Sequence, residues 1–138
     1  MTEHTVKSFG EQLEALSALV AQMGGLAEAQ FAAAIEAISR RDSTAAERAV
    51  AGDMRTDQLQ QEIEDRALKL LALRQPMAVD LRDTLAAIKI AAELERIGDL
   101  AKNIGKRALV LNREPPIRLT QSLARMGKVA LSQLKQVL

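Results

Sequence analysis

The side chains best suited to chemistry in this 138-residue sequence are four carboxylates in two pairs. Asp53 and Asp57 lie in "DMRTD", and Glu95 and Asp99 lie in "ERIGD". Within each pair the spacing is four residues, which on a helix puts both groups on one face. Like charges at that spacing weaken an isolated helix by roughly 0.2–0.5 kcal/mol. Carboxylate oxygens are hard ligands, suited to magnesium, calcium, manganese or iron. A cation among them would turn repulsion into coordination, and its charge would dominate the site. The competing arrangement is a solvated face. There Arg55, Arg96 and Lys102 would neutralise the acids in surface ion pairs worth about 0–1 kcal/mol each.

Other chemistries lack their residues. The single histidine is His4, and there is no cysteine. A di-iron oxidase built in a helical bundle needs Glu-x-x-His motifs projecting inward, and none is present. A phosphotransfer bundle would need a histidine on a helix, and no glycine-rich phosphate loop occurs. The residues favour a binding or regulatory protein over an enzyme.

The elements that must carry the carboxylates are helices. Aromatic residues are 1% of the chain, hydrophobic residues 48% and charged residues 27%. Abundant Ala, Leu, Glu, Lys, Arg and Gln favour helix, and little of the chain has the period-two pattern of strands. A first helix is expected from about Val6 to Arg40, with Leu13, Leu16, Val20, Met23, Ala27, Phe31, Ile35 and Ile38 as its stripe. Gly24 and Gly25 interrupt it, which suggests close helix approach or a slight bend. "RRDST" breaks the pattern, and Thr44 with Glu47 has capping-box spacing for a second helix. Its core seam is Thr56, Leu59, Ile63, Ala67 and Leu70. Pro76 ends it, because proline disfavours helix at the preceding residue. Asp80 and Asp83 then fall in the first turn of a third helix, where the dipole favours negative charge. That helix runs to about Leu111, with Ile90, Leu94, Ile97, Ala101, Ile104, Ala108 and Leu111 in one stripe. "NREPPI" stops it.

The hairpin between helices two and three serves as a ruler. If it turns at position 76, Asp57 is 19 residues before the turn (76 − 57) and Glu95 is 19 after it (95 − 76). Asp53 and Asp99 are likewise 23 residues from it on either side. At 1.5 Å per residue, both levels lie roughly 28–35 Å from the turn. All four carboxylates are thus expected to converge between two antiparallel helices, on a surface rather than in the bundle centre.

A net charge of +1 gives no reason to expect nucleic acid or an acidic membrane as partner. No stretch of about 18 apolar residues is expected to span a membrane, and the absence of cysteine fits a reducing cytoplasm. After Pro116, "SLARMGKVALSQLKQVL" aligns with "LVAQMGGLAEAQFAAAI" at a constant offset of 126 − 23 = 103 residues. Met126 falls on Met23, Gly127 on Gly24, Gln133 on Gln30 and Leu138 on Ile35. The expected organisation is an all-α, elongated antiparallel three-helix bundle over residues 1–113. Residues 114–138 are then a linker and the start of a second such unit, within whose first helix the sequence stops.

"LRQPMAVDLR" and "LERIGDLAKNI", within Leu71 to Ile104, resemble the signature region of the PhoU family. The resemblance covers nearly the whole chain. It implies two similar three-helix bundles, each with paired E(D)xxxD motifs that bind metal in some members. Asp53, Asp57, Glu95 and Asp99 match one such pair of motifs. The metal itself is left open among iron, zinc, manganese, magnesium and calcium. The resemblance further implies a cytoplasmic, dimeric, non-enzymatic negative regulator of phosphate-starvation signalling. Its partners would be the ATPase subunit of a phosphate ABC transporter and a sensor histidine kinase. The alternative is a metal-free structural or oligomerising bundle.

Overall fold

Asp42 and the paired prolines at 115 and 116 stand where helices end or begin, as their chemistry requires. The computed structural model describes residues 2–73 and 78–138. These form five helices: α1 (Thr2–Ser39), α2 (Ser43–Ala51), α3 (Asp53–Leu73), α4 (Ala78–Leu111) and α5 (Thr120–Val137). The described residues contain no strand. Helix α1, the α2–α3 pair and α4 make the three-helix bundle, and α5 lies along α1. The expected turn at Pro76 lies outside the described residues.

Helix α2 starts from Asp42 rather than from the expected Thr44–Glu47 capping box. The Asp42 carboxylate accepts from the Thr44 N–H at 3.0 Å and from the Ala45 N–H at 3.2 Å. Asp42 stands in extended backbone (φ −95°, ψ 102°), which leaves its side chain free to fold over the first-turn donors. Arg41 before it adopts a left-handed conformation (φ 53°). Its guanidinium donates to the Asn112 carbonyl (3.2 Å) and the Glu114 carbonyl (2.5 Å), tying the α1–α2 corner to the end of α4.

The second expected helix is broken in two at Gly52, a bend the apolar pattern does not announce. Beyond it, the expected seam is buried throughout: Thr56, Leu59, Ile63, Ala67 and Leu70. In α4 the seam is rotated from the expected isoleucine stripe. The buried positions are Thr84, Ala87, Ala91, Leu94, Gly98, Ala101, Gly105 and Ala108, whereas Ile90 is 46% exposed. Likewise, α1 buries Gln30, Ala34 and Ala37, and leaves Phe31 and Ile38 half-buried. The reason is steric. Small residues let helices approach closely, so alanines and glycines take the centre of the contact and larger aliphatic side chains flank it. A methyl group on Gly105 would lie 2.9 Å from the Ala46 carbonyl oxygen and 3.1 Å from Ala49 Cβ.

By length and composition, α1 is apolar enough between Lys7 and Ser39 to cross a membrane, contrary to the expectation above. Its alanines and glycines raise the average without forming one uninterrupted aliphatic run. In the fold this stretch is the central helix, against which α2, α3, α4 and α5 all pack.

The α1–α5 contact has twofold character. A methyl on Gly24 would lie 2.7 Å from Leu138 Cδ2, and one on Gly127 would lie 2.7 Å from Ile35 Cγ1. At the offset of 103, Gly127 corresponds to Gly24 (24 + 103) and Leu138 to Ile35 (35 + 103). Each repeat therefore offers the same glycine to the same aliphatic position of the other, the reciprocity expected of an isologous contact. The flank of that contact on α5 is open to solvent. Met126 is 67% exposed, while its counterpart Met23 is fully buried.

Candidate cation site

Asp53 is the first residue of α3, where a carboxylate is favoured by the unpaired N–H groups and the dipole. Asp57 follows one turn later. Glu95 comes from the middle of α4, brought close by a gap at Gly98. A methyl there would lie 2.9 Å from Gln30 Oε1 and 3.4 Å from Thr56 Cγ2. With nothing larger than hydrogen at position 98, α3 and α4 approach until their flanking acids meet. One carboxylate oxygen from each of Asp53, Asp57 and Glu95 lies within 4.8 Å of the others. Hard cations bind carboxylate oxygens at roughly 2.0–2.6 Å, so a single ion can touch all three.

Asp99 stands apart. It is exposed and lies outside this triad, although its charge acts on the group. Lys102 takes the inward place instead. Its Nζ lies 3.0 Å from Asp53 Oδ2, with the two side chains 29% and 13% exposed. The other oxygen, Asp53 Oδ1, is buried without a hydrogen-bond partner. Orphaned buried acceptors are rare and costly. A coordinating ion would satisfy this one, so the donor set fits a hard cation.

The electrostatics of the pocket are those of crowded anions. Desolvation at the helix contact, then the Asp53 charge, hold the Asp57 carboxyl above its ordinary value; Asp99 adds to this and Lys102 opposes it. Glu95 is raised by desolvation and then by Asp57, Asp99 and Asp53, against the opposing charge of Arg96. Arg96 itself pairs with Glu93 at 3.5 Å on the exposed side of α4. The Lys102 ammonium is held charged to higher pH by its hydrogen bond to Asp53 and by the same cluster of acids.

Three of the four carboxylates singled out by the four-residue spacing lie together here. That spacing did not exclude Asp99, nor did it distinguish Lys102 from the other cations nearby. Gln30 was passed over as well. The available signal was a polar side chain in register with the apolar seam of α1, three residues after Ala27.

The fold and the cluster define an all-α helical bundle in which acidic side chains of two helices meet. Within that class, residues 20–108 match the PhoU domain, and the chain belongs to the PhoU family. It is 60% identical over its whole length to a Caulobacter vibrioides protein called a phosphate-specific transport system accessory protein PhoU homolog. It is 42% identical over 98% of its length to a Xylella fastidiosa protein of the same description. It is 38% identical over its whole length to the Edwardsiella tarda phosphate-specific transport system accessory protein PhoU. The chain spans 60%, 56% and 57% of those relatives, respectively.

Proposed function

We propose that this protein is a cation-binding regulatory adaptor of phosphate homeostasis. It restrains phosphate-starvation (Pho regulon) signalling and modulates high-affinity phosphate uptake through protein–protein contacts in the cytoplasm. Its partners are the ATPase subunit of a phosphate ABC transporter and a sensor histidine kinase, and it works as a homodimer rather than as an enzyme. The observation that carries this reading is the 60% identity, over the whole chain, to a relative described as a phosphate transport accessory protein.

In this reading Asp53, Asp57 and Glu95 hold the cation, and Asp99 adds negative charge at the rim. The bound ion supplies concentrated positive charge that joins α3 to α4. The chain's own residues do the rest. Lys102 neutralises Asp53 in the cation-free protein, and Gly98 keeps the two helices close enough for both states. The Lys102–Asp53 pair also favours the second reading, a bundle that needs no ion.

Metal analysis of the purified protein beside Asp57→Ala and Glu95→Ala separates the two. Uptake by wild type and its loss in both variants supports the cation site; equal content in all three supports the metal-free bundle. The regulatory role is tested by a clean deletion of the intact gene. Starvation genes should then stay on in ample phosphate, and normal repression would refute the assignment.

A further inference from the structure

Gln30 is 4% exposed, in the core face of α1, and its Nε2 donates to the Ala49 carbonyl at 2.6 Å. In an unbroken helix that carbonyl would accept from the N–H four residues on, at Asp53. Here the last helical bond of α2 runs from the Gly52 N–H to Arg48 O (3.0 Å). The first bond of α3 runs from the Thr56 N–H to Gly52 O (3.3 Å). The Gln30 amide therefore stands in the ladder at the step where one helix gives way to the next. A side chain inserted into the i→i−4 ladder is one of the few physical causes of a sharp kink. Gly52 is not itself the cause, because its backbone is ordinary right-handed helix (φ −64°, ψ −20°).

The glycines matter by leaving room. A methyl on Gly52 would lie 3.2 Å from Gln30 Cγ and Cδ, and one on Gly98 would lie 2.9 Å from Gln30 Oε1. Three elements thus close around a single amide: α1, the α2–α3 junction and α4. The residue that follows the junction is Asp53, a member of the carboxylate triad whose side chain is 13% exposed.

We propose that Gln30 is a positioning residue, whose amide holds the α2–α3 bend open and thereby aims Asp53 into the carboxylate cluster. The inference rests on the cation-site reading for its effect on binding, and on backbone geometry alone for the bend.

The test uses the full chain. Gln30→Met keeps the length and unbranched shape of the side chain and removes the donor. Gly52→Ala presses on the same amide from the other side. Mn2+ binding is titrated for wild type, both variants and Asp53→Asn, and amide hydrogen exchange is followed without metal. Both bend variants should bind Mn2+ roughly tenfold to a hundredfold more weakly, the range seen when the groups that orient metal ligands are removed. Exchange should change within residues 49–56 and stay the same elsewhere in the bundle. Wild-type affinity in both variants, or unaltered exchange through 49–56, would overturn the proposal. If wild type itself bound no Mn2+, the cation-site reading would fail. The exchange data would then decide the bend alone, a local change supporting it and no change overturning it.

Discussion

Two glycine-to-alanine substitutions in helix interiors should move stability in opposite directions. Gly25 has nothing within 4 Å of the position a Cβ would take, so Gly25→Ala gains only helix propensity. That gain is about 1 kcal/mol. Gly105→Ala gains the same amount. Its methyl, however, would sit 2.9 Å from the Ala46 carbonyl oxygen, 3.1 Å from Ala49 Cβ and 3.3 Å from Val50 Cγ2. Two of those three neighbours are backbone or a rigid methyl on the backbone, so α2 must shift relative to α4. Overpacking of this kind costs roughly 1–3 kcal/mol. The net change for Gly105→Ala is then about 0–2 kcal/mol of destabilisation. The gap between the two variants is about 1–3 kcal/mol, because the propensity gain cancels between them. Urea denaturation of wild type and both variants, with equal m-values, measures this directly. A Gly105→Ala protein stabilised as much as Gly25→Ala would refute the claim that small residues set the separation of α2 and α4.

Two further outcomes concern the carboxylates. Asp57 and Glu95 titrate above their ordinary values of 3.8 and 4.5, so in that window the folded state binds more protons than the unfolded chain. Stability therefore falls as pH rises through the window, and the cost persists above it. Cation-free protein should grow more stable as pH drops from neutral towards the ordinary carboxylate range, and Asp57→Asn should flatten that rise in urea titrations run in EDTA. Lys102→Met removes the ammonium that shares Asp53 with any cation. It should lower stability without metal and raise Mn2+ affinity; weaker Mn2+ binding by this variant would mean that Lys102 supports the ion rather than competing with it.

Much of this molecule was legible before its fold was seen. Helix identity followed from composition and periodicity, and the α3 seam from Thr56 to Leu70 was read residue by residue. The expected α4 stripe shares Leu94, Ala101 and Ala108 with the buried seam, and it departs at Ile90 because periodicity weights large aliphatic residues. Close-packed helices instead centre on the small ones, here Ala91, Gly98 and Gly105 at intervals of seven. The break at Gly52 was invisible for a different reason. It depends on Gln30, which is 22 residues away in sequence (52 − 30) and reaches Ala49 only through the tertiary fold. The same limit applies to the acids. Spacing set Asp53, Asp57, Glu95 and Asp99 on suitable faces, but which of them meet depends on how the tertiary fold sets α3 against α4. The reciprocal Gly24–Leu138 and Gly127–Ile35 contacts, by contrast, join positions that the sequence aligns at a constant offset.

On the cation-site reading, Asp53, Asp57 and Glu95 hold one hard cation between α3 and α4. Crystals grown with Mn2+ and measured for anomalous scattering test it most directly. An anomalous peak is expected within roughly 2.0–2.6 Å of one oxygen from each of the three carboxylates, with Asp53 Oδ1 no longer unpartnered. An unbroken Lys102–Asp53 contact with no peak beside it, at saturating Mn2+, would contradict it.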